Sequence, residues 1–197
     1  MSLALIDRDV AVGPTAAVLN DVLHPATALA IWQRSLSPVL LEALARLDVD
    51  TVDDIALDTA DAAVDHTLRA AGYPDALVGP LTSDIAALLE RHHALTGSSR
   101  HALRLEVVET DACRRFHADD VTLRLLCTYV GPGTQWHRVA APDTIEQVPT
   151  GAAAIFKGRR LLDPPTVLHR SPPIGGTGER RLLLVIDPAR AAVPASG

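Results

Sequence analysis

The feature that most limits what this chain can fold into is a change of hydrophobic period near Gly97-Ser98-Ser99. Residues 1–23, punctuated by Gly13-Pro14, show no clear period, but from about Ala26 up to that change apolar residues recur at helical spacing. After it they lie in short runs that Gly and Pro clusters separate, the pattern of strands and turns. The first half predicts a short helix from Ala26 to Arg34, one opened by Ser37-Pro38 and running to Leu47, one over 59–71 and one over 81–96. Ser37 suits an N-cap, and Pro38 suits a first turn, where its missing N–H leaves nothing unpaired. In the last of these helices Leu81, Ile85, Leu88, Leu89 and Leu95 make one stripe, with Gly97 as the stop signal.

The second half predicts strands over 101–109, 112–117, 121–130, 144–148, 152–157, 166–170 and 181–187, with a further short one near 135–138. Gly131-Pro132-Gly133, Pro164-Pro165 and Gly175-Gly176-Thr177-Gly178 mark turns between them. So many short strands suggest a sandwich or barrel. The expected organisation is α+β: a mainly helical region over 1–98 packed on the sheet, a β core over 99–190 and a tail over 191–197, together one unit. A chain of 197 residues can bury a core of that size.

Composition narrows the setting. The longest aliphatic run, Leu182–Ile186, is far shorter than the about 20 residues that cross a bilayer. Met1–Asp9 has no basic stretch ahead of its apolar patch, so it does not read as a signal peptide, and Cys113 and Cys127 make no disulfide framework. A cytoplasmic protein without a membrane partner is expected. Residues 1–99 balance at −9 and residues 100–197 at +3, which together give the −6 of the whole chain. The mildly positive half can draw in a small anionic co-substrate. The acids of the first half equally suit helix N-termini and a solvated surface. An acidic chain with no clustered Lys/Arg surface excludes a nucleic-acid binder.

The chemistry lies in the second half. Phe116-His117-Ala118-Asp119 sets an imidazole and a carboxylate two residues apart at the head of the run 121–130, so in an extended segment both point to one side. A lone His-x-Asp means little, since 8 His among 197 residues give about 0.7 such pairs by chance. His169, in the later run 166–170, adds a second imidazole. Two His and one carboxylate on one face of a metal leave coordination positions open, the ligand set of non-haem Fe(II) oxygenases. Arg180 and Arg181 then open the last strand.

Bland readings stand beside this one. His117 can be a strand-end histidine, Asp119 a turn residue and His169 a partner of backbone. His66, His92 and His93 fall in predicted helices without a second ligand at i+3 or i+4, and read as helix residues. Cys113, His117, Cys127 and His137 are an alternative zinc set, although Cys127 shares the apolar face of its strand and no Cys-x-x-Cys pair is present. A serine hydrolase lacks a Gly-x-Ser-x-Gly elbow; Ser171 stands between Arg170 and Pro172.

The order His117-x-Asp119, His169 and a late Arg resembles the Fe(II)/2-oxoglutarate-dependent dioxygenase superfamily. The prolyl hydroxylase branch is similar in more detail: Arg124 and Thr128 in the strand after His-x-Asp, Gly151 leading to Phe156, and Gly178-Glu179-Arg180. Phe116–Asp119 and Tyr129-Val130-Gly131-Pro132-Gly133-Thr134 also resemble a bacterial domain family of unknown function. The resemblance covers about residues 100–190 and implies a double-stranded β-helix, or cupin-like jelly roll. It implies that His117, Asp119 and His169 hold Fe(II), with 2-oxoglutarate as co-substrate and hydroxylation of a small-molecule or peptide substrate. Arg180 or Arg181 would hold the distal carboxylate, because a guanidinium offers a planar fork of donors that Lys lacks. Arg124, Thr128, Trp136 and Phe156 are candidates for the pocket wall, or ordinary strand packing. A cupin-like protein that binds metal for homeostasis or sensing, without catalysis, would keep the triad and need no late Arg. Substrate identity and oligomeric state are not written in the sequence.

Overall fold

Strand-forming runs from both halves of the chain meet in one seven-stranded sheet. The structure, a computed structural model, describes residues 9–59 and 63–189. The first half supplies β1 (Val10–Gly13), a 3-10 helix (Ala16–Leu23), β2 (Leu29–Trp32), α1 (Pro38–Ala45), β3 (Ile55–Asp58), α2 (Val64–Ala70) and α3 (Asp75–Thr96). The second half supplies β4 (His101–Val108), β5 (Leu123–Val130), β6 (Gln135–Arg138), β7 (Glu146–Gln147), β8 (Ala153–Lys157), β9 (Val167–Arg170) and β10 (Arg181–Pro188). The large sheet runs β1-β2-β8-β5-β10-β4-β3, and a three-stranded sheet, β7-β6-β9, faces it. The tail over 191–197, the signal-peptide reading of Met1–Asp9 up to Arg8, and part of the helix expected over 59–71 lie outside the described residues.

Each face of the large sheet builds its own core. Leu123, Leu125, Cys127 and Tyr129 of β5 join Leu182, Leu184 and Ile186 of β10 in one cluster with Leu40 and Leu44 of α1 and Leu77, Leu81, Ile85 and Leu88 of α3. The intervening residues, Leu126 of β5 with Leu183 and Val185 of β10, pack in a second cluster with Trp136, Phe156 and Val167 between the sheets. This is the period-2 alternation of strands covered on both sides. It explains why the last strand reads as apolar throughout.

Three local expectations need correction. The segment predicted as a helix from Ala26 to Arg34 instead forms β2, pairing parallel with β1 and antiparallel with β8. Leu29, Ala30 and Ile31 are all buried, so the run serves two cores rather than one helical stripe. The span 112–117 is no strand; only His117 makes an isolated bridge, and Cys113 takes a left-handed φ of 59°. The last helix starts at Asp75, not 81, and carries Pro80 inside its early turns. Ser37 caps α1 as expected, its side chain accepting from the Leu40 N–H, and Gly97 (φ 66°) ends α3.

Candidate metal centre

The candidate ligands are assembled by backbone pairing. The His117 N–H donates to the His169 carbonyl (3.0 Å) and the His169 N–H to the His117 carbonyl (2.9 Å). A reciprocal antiparallel pair of this kind sets its two side chains next to each other on one face. Asp119, two residues beyond His117, joins them. The imidazole rings stand 4.8 Å apart between centroids, and one ligand atom from each of His117, Asp119 and His169 lies within 4.8 Å of the others. Among the described residues no other group of three such side chains is gathered this way.

Neighbouring backbone fixes Asp119. Its carbonyl accepts from the Arg159 N–H (2.9 Å), and the Gly158 N–H donates to Thr122 (2.8 Å). A side chain at Gly158 would run into the Val121 carbonyl and crowd that of Asp119, so only glycine lets this turn lie against the ligand segment. Arg124 Nη1 meets Asp119 Oδ1 at 2.6 Å, while its Nε and Nη2 hold Asp187 at 2.7 and 2.8 Å.

The donor set suits a divalent metal. His117 Nδ1 is 2.8 Å from the Arg115 carbonyl, so Nδ1 carries the proton and Nε2 keeps its lone pair for a ligand. His117 Nε2 and His169 Nε2 lie 3.6 and 3.1 Å from Asp119 Oδ1 and Oδ2. Asp119 Oδ2 is nevertheless buried without a hydrogen-bond partner. A buried carboxylate oxygen beside the His169 imidazole with no aligned hydrogen bond is costly unless a cation completes it. Burial works to raise the Asp119 pKa, but His117, His169 and Arg124 hold it well below the usual carboxylate range. Burial lowers His169, with Asp119 opposing. The Asp119 contact raises His117. The carboxylate is therefore ionised and His169 favours its neutral, ligating form.

The same cavity, about 160 Å³, is lined by the three candidate ligands, by Leu126, Leu183 and Val185 as an apolar floor, and by Arg104, Glu106, Thr134 and Ser171. Arg181 lies behind this lining and is joined to it through Thr134 and Ser171. Its side chain is fully buried, and its donors reach the Pro132 carbonyl (2.6 Å), Ser171 Oγ (2.7 Å), Thr128 Oγ1 (3.3 Å) and Thr134 Oγ1 (3.2 Å). All four acceptors are neutral, and no carboxylate forms an ion pair with it among the described residues. Burial pulls its pKa down to about 10, against some support from Glu106. Gly131 (φ 80°) permits this cradle, because a side chain there would collide with the Arg180 carbonyl.

The remaining sequence-derived candidates fall elsewhere. Arg180 faces away, pairing with Asp50 at 2.7 Å and Glu109 at 3.4 Å, neither of which lines the cavity. Arg124 holds the ligand carboxylate, and Thr128 supports Arg181. Cys113 is exposed and Cys127 buried in the helix-side core, so Cys113, His117, Cys127 and His137 are not brought together as a zinc set. Asp187, Arg104, Glu106, Thr134 and Ser171 were not singled out as site residues in the sequence. The one signal for Asp187 is an acid closing an otherwise apolar strand.

The family described as "Protein of unknown function (DUF1826)" matches residues 13–187. No curated protein matches the chain. Among solved structures the fold is similar to the rice dioxygenase for auxin oxidation, with TM-score 0.54 and 14% identity over 93% of this chain and 83% of that one. It is similar to the Arabidopsis thaliana dioxygenase for auxin oxidation 1 in a binary complex with 2-oxoglutarate, with TM-score 0.56 and 11% identity over 92% of each chain. A Pseudomonas putida prolyl-4-hydroxylase aligns with TM-score 0.53 and 16% identity over 90% of this chain and all of its own. At such identities the likeness is one of fold: an α+β double-stranded β-helix that takes in the first half of the chain as well as residues 100–190.

Proposed function

We propose that this chain, which belongs to the DUF1826 family, is a non-haem Fe(II)/2-oxoglutarate-dependent oxygenase. His117, Asp119 and His169 would hold the iron, and Arg181 rather than Arg180 would receive the distal carboxylate of 2-oxoglutarate. One observation carries the reading: directly behind the cavity of the three-ligand cluster, on its lining residues Ser171 and Thr134, a fully buried guanidinium is held by neutral oxygens alone among the described residues. A buried charge without a counter-charge is unfavourable, and a carboxylate ligand removes that penalty through paired, charge-assisted hydrogen bonds. A protein that only stored or sensed metal would have no use for it.

Bound to these ligands, Fe(II) supplies the centre at which dioxygen is reduced while 2-oxoglutarate is decarboxylated to succinate and CO2. The protein's part is positioning. Arg124 holds Asp119 through Oδ1 and leaves Oδ2 beside His169. The Arg115 carbonyl fixes the His117 tautomer. Ser171, Thr128, Thr134 and the Pro132 carbonyl aim the Arg181 fork. Leu126, Leu183 and Val185 keep the floor dry, which strengthens each charged contact.

Anaerobic addition of Fe(II) and 2-oxoglutarate tests the reading. The expected result is the charge-transfer absorption of the iron chelate, followed by succinate when oxygen is admitted. No absorption and no succinate would remove the oxygenase. Iron binding without any response to 2-oxoglutarate would turn the protein into a metal binder of the same fold.

A further inference from the structure

On β4, Arg104 and Glu106 stand two residues apart and therefore share a face, beside Val185 and Leu183 of β10 on the cavity floor. They belong to a chain of alternating charges that ends at the candidate metal ligand. Glu106 Oε1 meets Arg104 Nη1 at 2.6 Å, Arg104 Nη2 lies 3.8 Å from Asp187 Oδ2, Asp187 Oδ1 meets Arg124 Nε at 2.7 Å, and Arg124 Nη1 meets Asp119 Oδ1 at 2.6 Å. Three carboxylates alternate with two guanidiniums, so the chain carries one net negative charge and a carboxylate at each end.

The two ends differ. Asp119 faces the two imidazoles, where a metal completes it. Glu106 opens onto the cavity, its side chain 28% exposed, and Arg104 is its one hydrogen-bond donor among the described residues. Arg181 feels its charge without touching it. Asp119 and Glu106 thus mark opposite ends of one electrostatic unit, and both line the same cavity.

We propose that Glu106 receives the ammonium group of the primary substrate, so that the site hydroxylates a small primary amine or amino acid: a C–H bond becomes C–OH with one atom of dioxygen, and the other atom enters succinate as 2-oxoglutarate loses CO2. The inference rests on the oxygenase reading above. An anionic substrate would meet the Glu106 carboxylate and be repelled. A neutral one would leave that end of the charge chain uncapped. An ammonium offers three donors to a carboxylate that has one hydrogen-bond partner among the described residues. The carbon next to the amine is then directed back along the cavity floor toward the metal ligands.

The test uses the full-length protein with Fe(II) and 2-oxoglutarate under anaerobic conditions. The twenty free amino acids, 1,4-diaminobutane and a short peptide with a free N-terminus are titrated in, each beside its N-acetylated counterpart. A shift of the chelate absorption measures binding, and succinate after oxygen measures coupling. At least one free amine is expected to shift the band and raise succinate formation at least tenfold, with its acetylated form inactive. A response to the free compounds and not to the peptide identifies the small-molecule source; a response to the peptide alone overturns it. Glu106→Gln should weaken amine binding at least tenfold while the chelate band persists, and Glu106→Asp should recover part of it. A band that responds to no amine, or equally to acetylated forms, overturns the inference alone. Absence of the band in the wild-type protein overturns the oxygenase reading and this inference with it.

Discussion

Strand β5 carries a charged cluster on each face, and the two are completed in different ways. On the helix-covered face, Arg34 grips Asp84 of α3 with two nitrogens (2.6 and 2.7 Å), gives its Nε to the Gly151 carbonyl (3.0 Å) and touches Cys127 Sγ at 3.5 Å. Tyr129 donates its hydroxyl to Asp84 at 2.7 Å. Charge is balanced there and every strong donor has its acceptor. Burial pushes the Cys127 thiol up to about 11 and Tyr129 well above its usual value, so both stay neutral. On the face between the sheets, among the described residues, Arg181 pairs with no acid and Asp119 Oδ2 makes no aligned hydrogen bond, although His169 Nε2 stands 3.1 Å from it. A closed ion cluster joins elements; an open one on the same strand marks where something else binds.

Removing Asp84 tests the closed side with the largest expected effect. Asp84→Ala strands the buried Arg34 charge and should cost about 3–5 kcal/mol in urea unfolding. The folded fraction should keep its affinity for metal, because the change lies on the other face. A matching loss of metal binding in the folded protein would break the separation of the two clusters.

Acid gives a second test of the helix-covered face. His92 of α3 is fully buried, its Nε2 3.2 Å from the Leu123 carbonyl, and burial lowers its pKa to about 4 from 6.5. The unfolded chain therefore takes up a proton below about pH 6.5 that the folded chain refuses until about pH 4. Stability is retained above that window and falls as pH drops through it, by about 3 kcal/mol for this residue. Burial shifts His101, packed against it, in the same direction. Unfolding free energy measured from pH 7 to 4 should fall less steeply in His92→Leu than in the wild type; parallel curves would show that the imbalance lies elsewhere.

The smallest stability effect belongs to the open side. Arg181→Met removes a buried charge that no acid compensates, so unfolding free energy should change by no more than about 1 kcal/mol. Affinity for 2-oxoglutarate, read from the chelate absorption, should nevertheless drop at least a hundredfold. A large loss of stability with unchanged 2-oxoglutarate binding would assign Arg181 to the scaffold and erase the contrast between the faces.

Much of the fold was legible because period and breakers are local properties. The strands 101–109, 121–130 and 181–187 and the cap at Ser37 follow from alternation and from turn and capping chemistry. The parallel strand Leu29–Trp32 was not legible, since a short apolar run buried on both sides has the same composition as a buried helical turn. Gly79-Pro80 similarly hid the first turns of α3, because a proline tolerated near a helix start reads as a breaker.

By itself the sequence determined that His117 and Asp119 could act on one side of the chain, since their spacing of two matches the pleat. It also determined the order in which His169 and the paired arginines follow. Only the tertiary structure decided that His169 pairs in register with His117, a contact between segments remote in sequence. It alone decided that Arg181 turns to Ser171 and Thr134 of the cavity wall while Arg180 turns to Asp50. Leu182–Ile186 is buried on both faces, one against α3 and the other between the sheets, so no polar alternation in the sequence could set the phase of that strand.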